Sequence, residues 1–272
     1  MSLQDSPLGK QTQYVSEYAP HLLHPIPRAA NRQGLGLEGG QLPFQGVDIW
    51  NGYELSWLNP KGKPEVAVAE FRIPCESPNI IESKSFKLYL NSLNQSRFPS
   101  FEAVQVALSQ DLSAAVGCQV EVKLFSVSEA PQTLQVSEGH CIDGLDVGVE
   151  HYHPAPELLQ ADPSEQVREV LVSHLLKSNC PVTGQPDWAS LLIEYEGPRI
   201  DHASLLRYIV SFREHQDFHE HCAERIFCDL IARCQPQRLS VHARYTRRGG
   251  LDINPYRATH ATEVGNPRLV RQ

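Results

Sequence analysis

Apolar and polar residues alternate over 65–73 (Glu-Val-Ala-Val-Ala-Glu-Phe-Arg-Ile), the two-residue period of a half-buried strand. The period then lengthens. Phe86, Leu90 and Leu93 share one helical face, Phe101, Val104, Leu108 and Leu112 share another, and 120–125 alternates again as a strand. The second half runs through the same order. Residues 189–196 read as a strand, 205–212 and 220–231 as helices, and 238–245 as a closing strand. Aligning Glu82 with Asp201 takes an offset of 119 and Glu102 with Glu220 an offset of 118, so the two registers agree to within one residue. That agreement indicates an internal duplication. Strand, helix pair and strand, taken twice without a βαβ rhythm, predict an α+β fold of two tandem modules, each an antiparallel sheet with a pair of helices. Short sheets of this kind leave edges open, so self-association is expected.

The organisation that follows is an irregular N-terminal arm (1–45), a first module (46–130), a connector with a short strand (131–163) and a second module (164–272). The arm contains Gly34-Leu35-Gly36-Leu37-Glu38-Gly39, which spells G-x-G-x-x-G. That motif cradles a dinucleotide only where a buried strand delivers the chain to the glycines and a helix starts on them; Pro25-Ile26-Pro27-Arg28 before it and Gly40-Gln41-Leu42-Pro43 after it predict neither. The match is a decoy.

With 272 residues, 41% of them hydrophobic, the chain can fill a substantial core. No apolar run approaches the ~20 residues of a membrane span, and the first twenty residues lack a charged region followed by an apolar one. A cytoplasmic protein is expected. Seven cysteines at irregular spacing fit free thiols in a reducing compartment. A net charge of −8 argues against direct binding of nucleic acid. The local exception is Arg244-Tyr245-Thr246-Arg247-Arg248-Gly249-Gly250, whose arginines and glycines suit a phosphate-bearing small molecule as well as a solvated strand end.

Three clusters can carry chemistry. In Ser178-Asn179-Cys180-Pro181-Val182-Thr183-Gly184-Gln185-Pro186-Asp187, a thiol precedes a carboxylate by seven residues in a turn-rich loop; a thiolate is a strong nucleophile and a carboxylic acid can protonate what it attacks. A structural cysteine is the plain alternative. Phe218-His219-Glu220-His221-Cys222 opens a helix and places an imidazole beside a carboxylate near solvent, a pair that can grip a ring bearing several N–H donors. Glu220 also suits a helix start for electrostatic reasons alone, and zinc on His219, His221 and Cys222, with Cys180 as a distant ligand, is a rival reading. Glu82-Ser83-Lys84-Ser85-Phe86-Lys87-Leu88-Tyr89 reads locally as a capped, wet helix start.

Taken together, the three clusters resemble the QueF family, the NADPH-dependent 7-cyano-7-deazaguanine reductases of queuosine biosynthesis. The length and duplication resemble the family's long, two-module form, over a stretch from about Tyr53 to Pro255. The resemblance implies a tunnelling fold, a homodimer, and a four-electron reduction of a nitrile to an amine by two NADPH. It implies Cys180 as nucleophile and Asp187 as proton donor, which requires Asp187 to be protonated when the nitrile arrives. By the same carry-over Ile81, Glu82, Ser83, His219 and Glu220 lie at the substrate, and Ser83, Lys84, Arg248 and Gly249 at NADPH; no metal is implied. In shorter members one module carries every motif. Here the second half reads Asp201-His202-Ala203-Ser204 where Glu-Ser-Lys-Ser would recur, and the first reads Phe101-Glu102 in place of His-Glu. A complete site is therefore expected to draw on both halves, within one chain or across a dimer. A zinc-dependent cyclohydrolase-like enzyme of the same fold and a non-catalytic purine- or pterin-binding module remain as alternatives.

Overall fold

The computed structural model describes residues 14–37, 41–130, 134–135 and 138–272. The chain divides into two compact units. The first comprises Met1–Gly34, Asp48–Thr133 and Arg247–Asp252, and the second Leu35–Val47, Leu134–Thr246 and Ile253–Gln272. Both are α+β.

In the first unit, strand β1 (Pro25–Pro27) pairs antiparallel with β4 (Asn79–Ile81), and the five-residue helix α1 (Ala29–Gln33) follows β1. The main sheet runs in the order β5 (Glu121–Phe125), β3 (Pro64–Pro74), β2 (Gln45–Leu58), with β3 and β5 antiparallel. Alternation along β3 buries Ala67, Ala69, Phe71 and Ile73 on one face. Helices α2 (Ser83–Ser92) and α3 (Phe101–Val116) complete the unit. Helix α3 buries Val104, Leu108, Leu112 and Val116, one residue per turn, and stops at Gly117, whose φ of 78° gives the left-handed cap that glycine accepts most readily. Arg28 donates to Asp48 at 2.6 Å with both side chains fully buried.

The second unit orders its strands β10 (Leu251–Ala258), β9 (Arg238–Tyr245), β8 (Pro186–Ile200), β7 (Ala161–Asn179) and β6 (His140–Cys141). All neighbours are antiparallel except β6, which runs parallel to β7. Helices α4 (His202–Val210) and α5 (His219–Cys234) complete it. Buried Glu224 on α5 accepts from Arg257 at 2.9 Å. β2 and β10 each contribute residues to both units.

The alternating strands and both helix pairs lie where periodicity puts them. Three long strands do not. β7 reads Val-Arg-Glu-Val-Leu-Val-Ser-His-Leu-Leu-Lys in its middle, a spacing that fits a helix as well as a strand, and it is held extended by pairing with β8 along most of its length. β2 mixes Gly46, Asp48, Asn51 and Gly52 with its apolar residues. β10 is buried throughout despite Asp252, Asn254 and Arg257, because each polar side chain has a partner; Pro255 sits just before the residues that pair with β9. Gly34 and Gly36 follow α1 rather than precede a helix, the reverse of a dinucleotide cradle, while Glu38-Gly39-Gly40 lie outside the described residues.

Candidate active site

In the second unit, β7 and β8 form a long hairpin whose closed end carries Cys180 and Asp187. Ser178 pairs with Asp187 and Asn179 with Pro186, so Cys180 is the first residue beyond the ladder. The six-residue connection is folded on itself: Cys180 N–H donates to Gln185 O at 2.9 Å, Gly184 N–H donates to Cys180 O at 3.0 Å, and Gly184 takes a φ of 68°. Asn179 fixes the approach, its N–H donating to His215 O and its carbonyl accepting from Asp217 N–H. Cys180 is 3% exposed and Asp187 5%.

Helix α5 delivers its first residue to the same acid. His219 Nε2 lies 3.2 Å from Asp187 Oδ2, and the imidazole stacks on Tyr245 of β9 with centroids 3.8 Å apart and planes 3° off parallel. His219 Nδ1 is buried with no hydrogen-bond partner. Glu220 follows at 2% exposure, so the expectation that His219 and Glu220 stand near solvent is corrected: both belong to the interior. Because α5 starts inside the unit, its first turn is packed rather than wet. Tyr245 went unnoticed in the sequence, where it reads only as one apolar position of an alternating strand.

The neighbouring histidine points elsewhere. His221 Nδ1 is 3.2 Å from Asp217 Oδ1, and Asp217 also accepts from Phe218 N–H at 2.8 Å. Burial opposes ionisation of Asp217, but hydrogen bonds from His215 and His221 outweigh it and hold the carboxyl below its ordinary range. Cys222 is fully buried, and burial pushes its thiol up. His219 and His221 are thus each paired with a different carboxylate, an arrangement that does not gather the donors a zinc ion on His219, His221 and Cys222 would need.

The first unit holds the other clusters. Glu82 is the N-cap of α2: its carboxylate accepts from Lys84 N–H at 2.6 Å and Ser85 N–H at 2.9 Å, and it is wholly buried. Ile81 before it is buried in β4, and Ser83, Lys84 and Lys87 are half-buried on the helix. A capping carboxylate has about four acceptor positions, so this role does not exhaust Glu82. Arg248 and Leu251 close a tight turn through reciprocal backbone bonds, with Gly249 (φ 63°) and Gly250 (φ 79°) at its centre, the signature of a type I′ turn. A Cβ on Gly249 would meet the Lys87 side chain at 3.1 Å, and one on Gly250 would meet the Glu54 carboxylate at 2.5 Å. A cavity of about 90 Å³ opens there, lined by Glu54, Lys87, Leu90, Asn91, Gly249 and Gly250. The glycine turn brings the backbone close to Lys87, a cation suited to a phosphate-bearing group, with the Glu54 carboxylate on its other side.

The arginine cluster is smaller than the sequence implies. In the second unit Arg244 is 2% exposed and donates to Gln272 Oε1, Asn266 Oδ1 and Pro267 O, all structural partners. In the first, the Arg247 guanidinium lies 4.7 Å from the centroid of the Tyr53 ring. Alternation does not predict this: it puts Arg244 on the polar face with Ser240 and His242, and that face is buried as well.

Two family models match the chain. One, described as nitrile reductase, 7-cyano-7-deazaguanine-reductase N-term, covers residues 14–124, and a second, described as QueF-like protein, covers 186–264. Together they account for more than two thirds of the sequence.

Proposed function

The chain belongs to the QueF family of NADPH-dependent nitrile reductases, with the family's tandem tunnelling-fold modules, and from that premise we propose that Cys180 is its covalent nucleophile and Asp187 its proton donor. The reaction is the reduction of 7-cyano-7-deazaguanine to 7-aminomethyl-7-deazaguanine in queuosine biosynthesis. The observation that carries the residue assignment is the buried pair of His219 Nε2 and Asp187 Oδ2 at 3.2 Å, on the hairpin end that also presents Cys180.

A nitrile carbon accepts hydride poorly. Addition of the Cys180 sulfur across the C≡N bond, with Asp187 giving its proton to the nitrogen, forms a thioimide whose carbon is a better acceptor. Bound NADPH supplies hydride, two equivalents per nitrile. After the first hydride the carbon–sulfur bond of the resulting thiohemiaminal breaks, Cys180 leaves as thiolate, and the imine takes the second. His219, hydrogen-bonded to Asp187 and clamped by Tyr245, orients the acid between these steps. Glu220 accepts from the N–H groups of the deazaguanine ring, and in the first unit Ile81, Glu82 and Ser83 are the proposed further substrate contacts. Ser83, Lys84, Arg248 and Gly249 are the proposed cofactor contacts, supported by the glycine turn beside Lys87 and by cationic side chains suited to a ribose phosphate.

The proposed organisation is a first module over 46–130 and a second over 164–272. A homodimer and a cytoplasmic location complete the reading. Among the described residues no helix is long and apolar enough to cross a membrane. Gel filtration with light scattering tests the dimer.

The residue roles are tested by mixing protein with 7-cyano-7-deazaguanine and following intact mass, then adding NADPH and following its oxidation. The wild type gains the mass of one substrate and then consumes two NADPH per nitrile. Cys180→Ala should do neither, and an adduct that persists in that variant would place the nucleophile elsewhere.

A further inference from the structure

The second unit holds a cluster that the reductase chemistry does not use: Cys141, Asp143 and His174. One ligand atom from each, a thiol sulfur, a carboxylate oxygen and an imidazole nitrogen, lies within 4.8 Å of the others. We propose that these three residues bind a zinc-type divalent transition-metal ion.

The backbone builds the cluster. Strand β6 is only His140–Cys141, an edge strand whose parallel pairing sets Cys141 beside Val172, and Ile142 N–H extends the contact by donating to Val172 O. Along β7 the ladder with β8 then slips: Ser173 opposes Leu191 and Leu176 opposes Ala189, three steps against two. That extra residue is a β-bulge, a device that re-aims side chains, and His174 sits in it.

The side chains are already oriented. Asp143 Oδ1 accepts from Ser173 Oγ at 2.6 Å, and its Oδ2 accepts from His174 N–H at 2.8 Å. His174 Nδ1 is 2.8 Å from Ser190 Oγ. In the proposed site His174 Nδ1–H donates to Ser190 Oγ and Nε2 takes the ion, the arrangement metal-binding imidazoles commonly adopt, and ligating carboxylates are likewise hydrogen-bonded from behind. Cys141 is exposed and the other two are half-buried, so the site has an entry path and room for a water as fourth ligand. One sulfur, one nitrogen and one oxygen donor suit zinc or cobalt(II) rather than magnesium or calcium, which take oxygen. The ion would tie a two-residue edge strand to the longest strand of the unit.

The proposal does not depend on the reductase assignment. The full chain, stripped with chelator and kept reduced, is titrated anaerobically with cobalt(II). The expected result is one equivalent bound with a thiolate-to-cobalt charge-transfer band, bleached by zinc. Cys141→Ser and His174→Ala should each lose that band, and Cys180→Ala should keep it. Absence of a thiolate band in the wild type, its survival in Cys141→Ser, or its loss in Cys180→Ala overturns the proposal. Because Cys141 is exposed, its serine variant keeps the fold, and NADPH oxidation by that variant checks this.

Discussion

The two units repeat each other bond for bond in places. In the first, Ser85 Oγ donates to Glu82 O and accepts from His24 N–H; in the second, Ser204 Oγ donates to Asp201 O and accepts from Gln160 N–H. Ser92 and Ser211 each donate to the tyrosine three residues before, and each accepts from the N–H of an alanine ahead of a short 3₁₀ turn. Tyr89 donates to Asp111 and Tyr208 to Asp229, both at 2.6 Å. Within the helices the offsets are the 119 and 118 that align the halves in sequence, whereas the N–H donors ahead of them, Ala19 and His24 against Ala155 and Gln160, are offset by 136. The helix starts differ, and they differ reciprocally. α2 opens on wholly buried Glu82 whereas α4 opens on exposed Asp201; α3 opens with Ser100 as cap and Glu102 on the surface, whereas α5 opens with no side-chain cap and with His219 and Glu220 buried. Each unit has kept one helix start for stability and turned the other inward. A side-chain cap is the default at a helix start, and α5 does without one at the two residues proposed to meet acid and substrate.

The largest effect should come from the start of α5 and the β8 acid it meets. Asp187→Asn or His219→Ala is expected to slow turnover roughly 10²- to 10⁴-fold, as removal of an acid–base group does. NADPH oxidation reads it, and an undiminished rate would remove His219 and Asp187 from the mechanism. Next comes Glu224→Ala, which leaves Arg257 charged and buried and should cost about 3–5 kcal/mol in denaturant unfolding. The matching break in the first unit is Asp48→Ala opposite Arg28, with a similar cost.

Acid should separate the units further. Asp217 is held below its ordinary range in the folded state, so its contribution to stability is fully present above the unfolded carboxylate pKa near ~4 and is lost as pH falls from there through the lower folded-state value. Asp217→Asn should therefore flatten the loss of stability between about pH 5 and about pH 2, measured as urea midpoints across that range. Smaller still, Gly250→Ala sets a methyl against the Glu54 carboxylate and should raise KM for NADPH about tenfold while leaving thioimide formation intact. The smallest change is Ser100→Ala, about 1 kcal/mol of stability with no change in turnover, the signature of a cap that is only a cap.

Much of this was legible in the chain. Alternation located β3 and β9, helical spacing located α2 to α5, and the offsets of 119 and 118 located the repeat. β7 was hidden because its apolar spacing fits two periods and only pairing with β8 decides between them. Burial was the other blind spot. A His-Glu pair at a helix start reads as wet, and Arg244 reads as a free cation, because sequence shows a residue's type but not the layer that covers it. The partners that settle both, Tyr245 for His219 and Gln272 for Arg244, lie 26 and 28 positions away and carry no local signal.

The burial of Cys180 has a consequence for chemical labelling. At 3% exposure it is shielded, whereas Cys141 is open to solvent and Cys118 and Cys228 are half-open. A bulky maleimide will therefore tag the surface thiols first, and the number of labels taken up will not track inactivation. Only a slim, flat electrophile that fits the substrate's place would report on the proposed nucleophile alone.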